Sequence, residues 1–155
     1  MKDRIAVFPG SFDPFTLGHE EIIRKGLSVF DKIVVGIGTN AEKKYMYSAD
    51  IREQWIRDTF SDTDRIVVQS YQGLTVDFCK KVNAGFILRG LRTSSDFEFE
   101  KAIAHMNGSI QPGIETFFVL TRPEFASLSS TIVRDIIRNG GDAKQFVPAA
   151  VRKSL

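Results

Sequence analysis

The sequence predicts an α/β fold: a doubly wound five-stranded parallel sheet, Rossmann-like, in a single domain over residues 1–155. Three observations predict it. Short β-branched, apolar runs recur at 4–8, 32–37, 65–69, 85–88 and 114–120. Stretches with helical spacing lie between them at 17–30, 49–60, 74–82 and 95–107, and 130–138 and 149–155 follow the last strand. The 155 residues suit one domain, and five strands are too few to close an eight-stranded barrel.

Each element has a local reason. Runs such as Ile33-Val34-Val35 are apolar on consecutive residues, as in a strand covered on both faces. The first helix has Thr16 as its N-cap. In 49–60, Trp55 with Ile51 and Phe60 reads as core or interface, and in 74–82 Cys79 falls with Leu74, Phe78 and Val82 on one helical face. Ser94-Ser95-Asp96 reads as the cap of the fourth helix, and Ser127 to Thr131 supplies hydroxyls at the start of the fifth.

Composition excludes several classes. With 43% hydrophobic residues, 26% charged residues and a net charge of +2, the chain has ample material for a core and little tendency to disorder. A domain of this size buries roughly 70% of its unfolded surface. The longest apolar runs are too short to span a membrane, and Met1-Lys2-Asp3-Arg4 begins no secretory signal. One cysteine, Cys79, allows no internal disulfide and no cysteine-built metal site. A cytoplasmic location is expected from these features. The 21 basic residues against 19 acidic ones form no basic stripe interleaved with aromatics, so neither a nucleic-acid nor a membrane partner is expected.

In a doubly wound sheet, ligands bind beyond the carboxyl ends of the strands where the strand order reverses. The loops after strands 1 and 4 are therefore the ones to read. The first is Pro9-Gly10-Ser11-Phe12-Asp13-Pro14-Phe15-Thr16-Leu17-Gly18-His19. It places an imidazole in the first turn of a helix, beside free backbone N–H groups and the positive end of the helix dipole. The dipole favours neutral imidazole and a bound phosphate favours the cation; the sequence leaves the two in balance. Strand 4 ends in Arg89-Gly90-Leu91-Arg92, two guanidiniums suited to phosphate oxygens. After strand 5, Ser127-Leu128-Ser129-Ser130-Thr131-Ile132-Val133-Arg134 opens the next helix with hydroxyls. Lys43 and Lys44 follow strand 2 on the same rim. Three element ends thus aim hydroxyls, N–H groups, Arg and His at one side of one sheet, which fits a polyanionic ligand. No acid–histidine–nucleophile set accompanies them. Gly36-Ile37-Gly38-Thr39-Asn40-Ala41 matches a loose dinucleotide fingerprint, but 42–47 does not read as its helix.

Thr16-Leu17-Gly18-His19 together with Ser129-Ser130-Thr131-Ile132-Val133-Arg134 resembles the paired signatures of the nucleotidyltransferase superfamily. Pro9 to Pro14, Lys43-Lys44, Arg89 to Arg92, Asp96-Phe97-Glu98-Phe99-Glu100 and His105-Met106-Asn107 resemble, more narrowly, the bacterial phosphopantetheine adenylyltransferase family. That resemblance covers essentially the whole chain. It implies the nucleotidyltransferase version of the fold and a reaction in which ATP and 4′-phosphopantetheine give dephospho-CoA and pyrophosphate, the penultimate step of coenzyme A synthesis. The pantetheine phosphate attacks the α-phosphorus in line, with no covalent enzyme intermediate.

The same resemblance implies roles. Ser11 and His19 hold the ATP phosphates, with His19 stabilising the transition state. Lys43 and Arg89 hold phosphopantetheine, with Ser11 and Thr75 lining its site. Phe12, Gly90, Leu91, Arg92, Glu100, Phe125, Ala126, Ser127, Leu128, Ser129, Ser130 and Thr131 form the nucleotide site, where Arg92 neutralises charge. Mg²⁺ accompanies the triphosphate and needs no metal cage on the protein. Dephospho-CoA or CoA is expected as product or feedback ligand, and the family implies a homo-oligomer, a hexamer. Thirteen Phe, three Tyr and one Trp in so small a domain are an independent hint of an apolar interface.

The sequence departs from the family pattern in four places. Ser11 stands where Thr is common, Thr131 where Ser is common, Tyr45 where Pro is common and Phe125 where Trp is common. The competing readings are a nicotinamide-mononucleotide adenylyltransferase, a cytidylyltransferase and a non-catalytic nucleotide-binding module on the same fold. Arg89, Arg92 and the acidic-aromatic helix argue against the first two. The intact set of Ser11, His19, Lys43, Arg89 and Arg92 argues against the last.

Overall fold

A computed structural model describes residues 2–155. Five parallel strands, β1 (Ile5–Gly10), β2 (Lys32–Gly38), β3 (Ile66–Tyr71), β4 (Phe86–Leu91) and β5 (Glu115–Leu120), form one sheet in the order β3-β2-β1-β4-β5. The helices are α1 (Leu17–Gly26), α2 (Ala49–Thr59), α3 (Thr75–Lys81), α4 (Ser94–Ile110), α5 (Ser130–Arg138) and α6 (Ala149–Arg152). Short 3₁₀ turns at Pro123–Phe125 and Lys144–Phe146 were not anticipated from the sequence.

Alternation along β1 feeds two cores. Ala6 and Phe8 join Ile22, Ile23, Trp55, Ile56 and Val133 on the face covered by α1, α2, α5 and α6. Val7 joins Val34, Val76, Phe78, Cys79 and Ile87 on the other face. Cys79 is buried as expected, and burial pushes its thiol pKa up to about 11, which keeps it unreactive. Its supposed neighbour Leu74 is exposed, as is Ile51 beside buried Trp55. Thr16, Ser48, Thr93 and Ser129 cap α1, α2, α4 and α5, each side chain accepting from a backbone N–H one turn on.

Several boundaries move, and two moves bear on the site. β1 continues to Gly10 and β4 to Leu91, so Pro9, Arg89 and Gly90 lie inside strands rather than in the loops that follow them. α1 stops at Gly26 instead of residue 30: that glycine packs so closely that a Cβ would sit 2.6 Å from Leu88, and the chain then turns to bury Phe30. α4 is capped by Thr93 rather than by the serines after it and runs on to Ile110, while α6 is shorter than expected. The glycine-rich run at 36–41 belongs to the end of β2 and the loop after it, with no helix following directly.

The sheet itself opens the site. β1 pairs with β2 along Ile5 to Gly10 but with β4 only at Ala6↔Phe86 and Val7↔Ile87. Beyond that point β1 and β4 separate at the place where the strand order reverses. The Arg89 guanidinium enters the gap and its Nη1 donates to the Pro9 carbonyl at 2.8 Å, replacing the missing ladder bond.

Candidate active site

Two adjoining cavities occupy this gap. The first, about 280 Å³, is walled by the end of β1 and its loop (Phe8 to Phe12), by Thr16, Gly18, His19 and Ile22 of α1, by Arg89, Gly90 and Arg92, by Asp96 and Glu100 of α4, and by Thr121, Phe125 and Leu128 to Ser130. The second, about 230 Å³, lies toward β3 and α4 and is lined by Gly38, Tyr71, Thr75, Ile87, Ile103, Ala104, Asn107 and Thr116. Pro9, Gly10, Arg89 and Glu100 border both.

His19 is fixed by its own helix cap. The Thr16 N–H donates to His19 Nδ1 at 3.0 Å, and the Thr16 hydroxyl accepts from the His19 N–H at 3.4 Å. With Nδ1 accepting, the neutral ring carries its proton on Nε2, which remains as a donor. Phe12 meets the imidazole edge-on at 5.0 Å between centroids and Phe15 stacks on it at 5.5 Å. Burial, and then the charges of Arg89 and Arg92, push the His19 pKa down to about 3. Burial thus sides with the helix dipole and favours the neutral imidazole. Phe12 reaches its place through a left-handed backbone, φ 50°, and Gly10 makes room, since a Cβ there would lie 2.9 Å from the Phe12 ring.

The two arginines are held differently. Arg89 forms a two-pronged pair with Glu100 in addition to its bond to Pro9. Arg92 Nε donates to Asp96 at 3.1 Å, and its Nη1 donates to the Leu128 carbonyl at 3.1 Å. Burial raises the Asp96 pKa and the Arg92 hydrogen bonds lower it; the bonds win and the carboxyl sits below its usual range. In the second cavity the hydroxyls of Tyr71 and Thr75 hydrogen-bond at 2.8 Å, and Tyr71 stacks on Phe78 at 4.3 Å.

The β1–α1 loop is gripped from outside by three side chains. Arg52 Nη1 donates to the Ser11 carbonyl at 2.6 Å, Arg134 Nη1 to the Asp13 carbonyl at 2.7 Å, and Ser130 Oγ to the Pro14 carbonyl at 2.8 Å. Asp13 in turn accepts from the N–H groups of Met46 and Tyr47 at 2.8 and 2.9 Å, tying this loop to the one after β2.

Ser11, Phe12, His19, Gly90, Arg92, Glu100, Phe125, Leu128, Ser129 and Ser130 thus come together in the first cavity, Thr75 in the second, and Arg89 between them. The walls do not include the other residues expected there. Lys43 is exposed beside the Tyr45 ring, and Leu91 is buried in β4. Ser127 faces a separate groove with Ile132 and Phe146, Ala126 follows the 3₁₀ turn, and the Thr131 hydroxyl accepts from Arg134. Arg52, Tyr71 and Ile103 were not singled out. A buried arginine at a helical position looks like any surface arginine, and Tyr71 at a strand end carries no motif.

Cations and hydroxyls around two adjoining cavities at the switch point of a parallel sheet form a site suited to anionic groups. The cytidylyltransferase-like family model matches residues 7–136, and the chain belongs to that nucleotidyltransferase class. Within it, the chain is a member of the phosphopantetheine adenylyltransferase family. It is 57% identical over 149 residues to the phosphopantetheine adenylyltransferase of Flavobacterium psychrophilum, covering 96% of this chain and 98% of that one. Identity to the enzyme of the same name from Flavobacterium johnsoniae is 56%, covering 96% and 97%. Among solved structures, Plasmodium falciparum nicotinic acid mononucleotide adenylyltransferase complexed with NaAD superposes with a TM-score of 0.72 at 14% identity, covering 98% of this chain and 94% of that one, a likeness of fold.

Proposed function

We propose that this chain transfers the adenylyl group of ATP to 4′-phosphopantetheine, giving dephospho-CoA and pyrophosphate in coenzyme A synthesis. The observation that carries the reading is the pair of adjoining cavities sharing Arg89 and Glu100. The first is rich in hydroxyls and cations, and the second is more apolar and edged by Tyr71 and Thr75. A triphosphate suits the former and a pantetheine arm the latter. A phosphate oxygen of the acceptor attacks the α-phosphorus of ATP, the bond from that phosphorus to the bridging oxygen breaks, and pyrophosphate leaves with the electron pair. No proton need be taken from an ionised phosphate, so the residues position and stabilise charge. Neutral His19 donates through Nε2 to the charge developing on the α-phosphate, and Ser11 steadies the phosphates. Arg92, Gly90, Phe125 and Leu128 to Ser130 hold the nucleotide; Arg89, Lys43 and Thr75 hold the acceptor. Glu100 acts through Arg89, and Leu91 through the strand that carries both arginines.

Mg²⁺, when bound, would be held through the phosphate oxygens of ATP and would supply charge neutralisation at the pyrophosphate. The donor set fits an ion held through phosphate oxygens, because the two carboxylates of the cavity, Asp96 and Glu100, are already paired with arginines. CoA or dephospho-CoA, filling both cavities, is the natural feedback ligand. A homohexamer fits the exposed apolar side chains of α4 (Phe97, Phe99, Met106, Ile110) and of β5 (Phe117, Leu120). Among the described residues no helix is long and apolar enough to cross a membrane, and we place the enzyme in the cytoplasm, where both substrates are soluble.

The test is pyrophosphate release with ATP, Mg²⁺ and a panel of phosphorylated acceptors. Release with phosphopantetheine well above that with nicotinamide mononucleotide is expected. The reverse order, or no release with either, overturns the reading.

A further inference from the structure

We propose that Tyr45, at one of the four positions where this chain departs from the family pattern, is a positioning residue that presents Lys43 to the anionic end of the acceptor. The proposal rests on the reading of Lys43 given above. Lys43 is exposed and belongs to no cavity wall, so its four-carbon stem needs something to hold it over the site. Tyr45 supplies that. The Lys43 ammonium lies 5.4 Å from the centre of the Tyr45 ring, within cation–π range.

The ring itself is anchored on two sides. Its hydroxyl donates to the Gly38 carbonyl at 3.3 Å and accepts from the Asn40 N–H at 3.0 Å. Gly38 lines the second cavity, so the anchor is on the acceptor side of the site. The Arg52 guanidinium lies 4.2 Å from the same ring centre. Arg52 is buried, with 1% exposure; it is locked through the Ser11 carbonyl to the loop that carries the nucleotide side and through the Tyr47 carbonyl to the loop after β2. Tyr45 therefore fixes the loop of 39–45 at both cavities, and Lys43 inherits a restricted set of positions. Holding a flexible cation in place before its anion arrives reduces the entropy lost on binding.

Two variants and a double-mutant cycle test this, each measured by steady-state pyrophosphate release with phosphopantetheine and ATP varied in turn. Tyr45→Leu removes ring and hydroxyl and is expected to raise the acceptor KM about 5- to 10-fold, with the ATP KM changed less than about twofold. Tyr45→Phe keeps the ring and is expected to restore most of that loss, which also guards against a variant that merely folds badly. In a Lys43→Ala background, Tyr45→Leu is expected to have little further effect on the acceptor KM. An unchanged acceptor KM in Tyr45→Leu, equal rises in both KM values, or losses that simply add to those of Lys43→Ala overturn the proposal. Absence of phosphopantetheine-dependent release by the unmutated protein instead overturns the functional reading, and Tyr45 falls with it.

Discussion

Arg89 and Glu100 stand between the two cavities as a two-pronged ion pair, with Nε 2.9 Å from one carboxylate oxygen and Nη2 2.6 Å from the other. The pair does two things at once. It keeps a cation at the junction where the ligands would meet, and it orients that cation so that Nη1 reaches the Pro9 carbonyl across the gap between β1 and β4.

Those two roles separate by mutation. Arg89→Ala leaves the Glu100 carboxylate, 11% exposed, without its partner, and is expected to lower stability by about 2–4 kcal/mol and to raise the acceptor KM at least about tenfold. Adding Glu100→Ala recovers most of the stability and none of the acceptor affinity. Arg92, which borders only the first cavity, behaves otherwise: Arg92→Ala raises the ATP KM and leaves the acceptor KM within about twofold. Urea unfolding and separate substrate titrations check both statements, and identical losses for both substrates in both variants contradict them.

His19→Ala is expected to fold normally and to lower kcat about 100-fold or more while changing ATP affinity much less, because a donor aimed at developing charge is worth ~3 kcal/mol in the transition state. Single-turnover rates and ATP binding by calorimetry measure the two effects apart. A folded variant with near-normal kcat rules out the role.

The depressed pKa of His19 makes stability depend on pH. The unfolded chain, with an ordinary imidazole near 6.5, takes up a proton that the folded chain refuses until about pH 3. The unfolded state is therefore favoured progressively as the pH falls through 6.5 toward 3, by at most ~1.4 kcal/mol per pH unit from this residue. Wild type is expected to lose more stability between pH 7 and pH 5 than His19→Gln, which has nothing to titrate there. Parallel losses of melting temperature in the two proteins are the contrary result.

Asp13→Ala removes the acceptor for two backbone N–H groups of the loop after β2. The expected cost is about 2–4 kcal/mol in urea unfolding, and kcat is expected to fall with it, because the loop that carries Asp13, between β1 and α1, leads to His19. Full activity in a destabilised Asp13→Ala protein shows that the tie supports the fold alone.

Much of this was legible in the chain itself. β-branched runs alternating with helical periodicity determine a parallel sheet covered on both faces, because each pattern has only one kind of partner that buries it. The caps at Thr16 and in the Ser127 to Thr131 cluster are local chemistry, readable from a hydroxyl and its spacing. The placing of the ligand crevice after the first and fourth strands follows from the chirality of such folds, and the cavities lie there.

Tertiary structure decided the rest, since it depends on groups far apart in sequence. Burial and the charges of Arg89 and Arg92, some 70 residues away, tip His19 toward the neutral form, a contribution that no local motif displays. Arg89 reads as a free guanidinium until the strands separate and offer it Pro9, 80 residues earlier, along with Glu100. Lys43, expected to hold the acceptor, is left outside the cavity walls, while Arg52, a helical arginine, is buried against the carbonyl of Ser11. Periodicity reports which face of an element is covered, and a motif reports which groups are present. Which cation meets which oxygen is settled only when the packed elements bring their ends together.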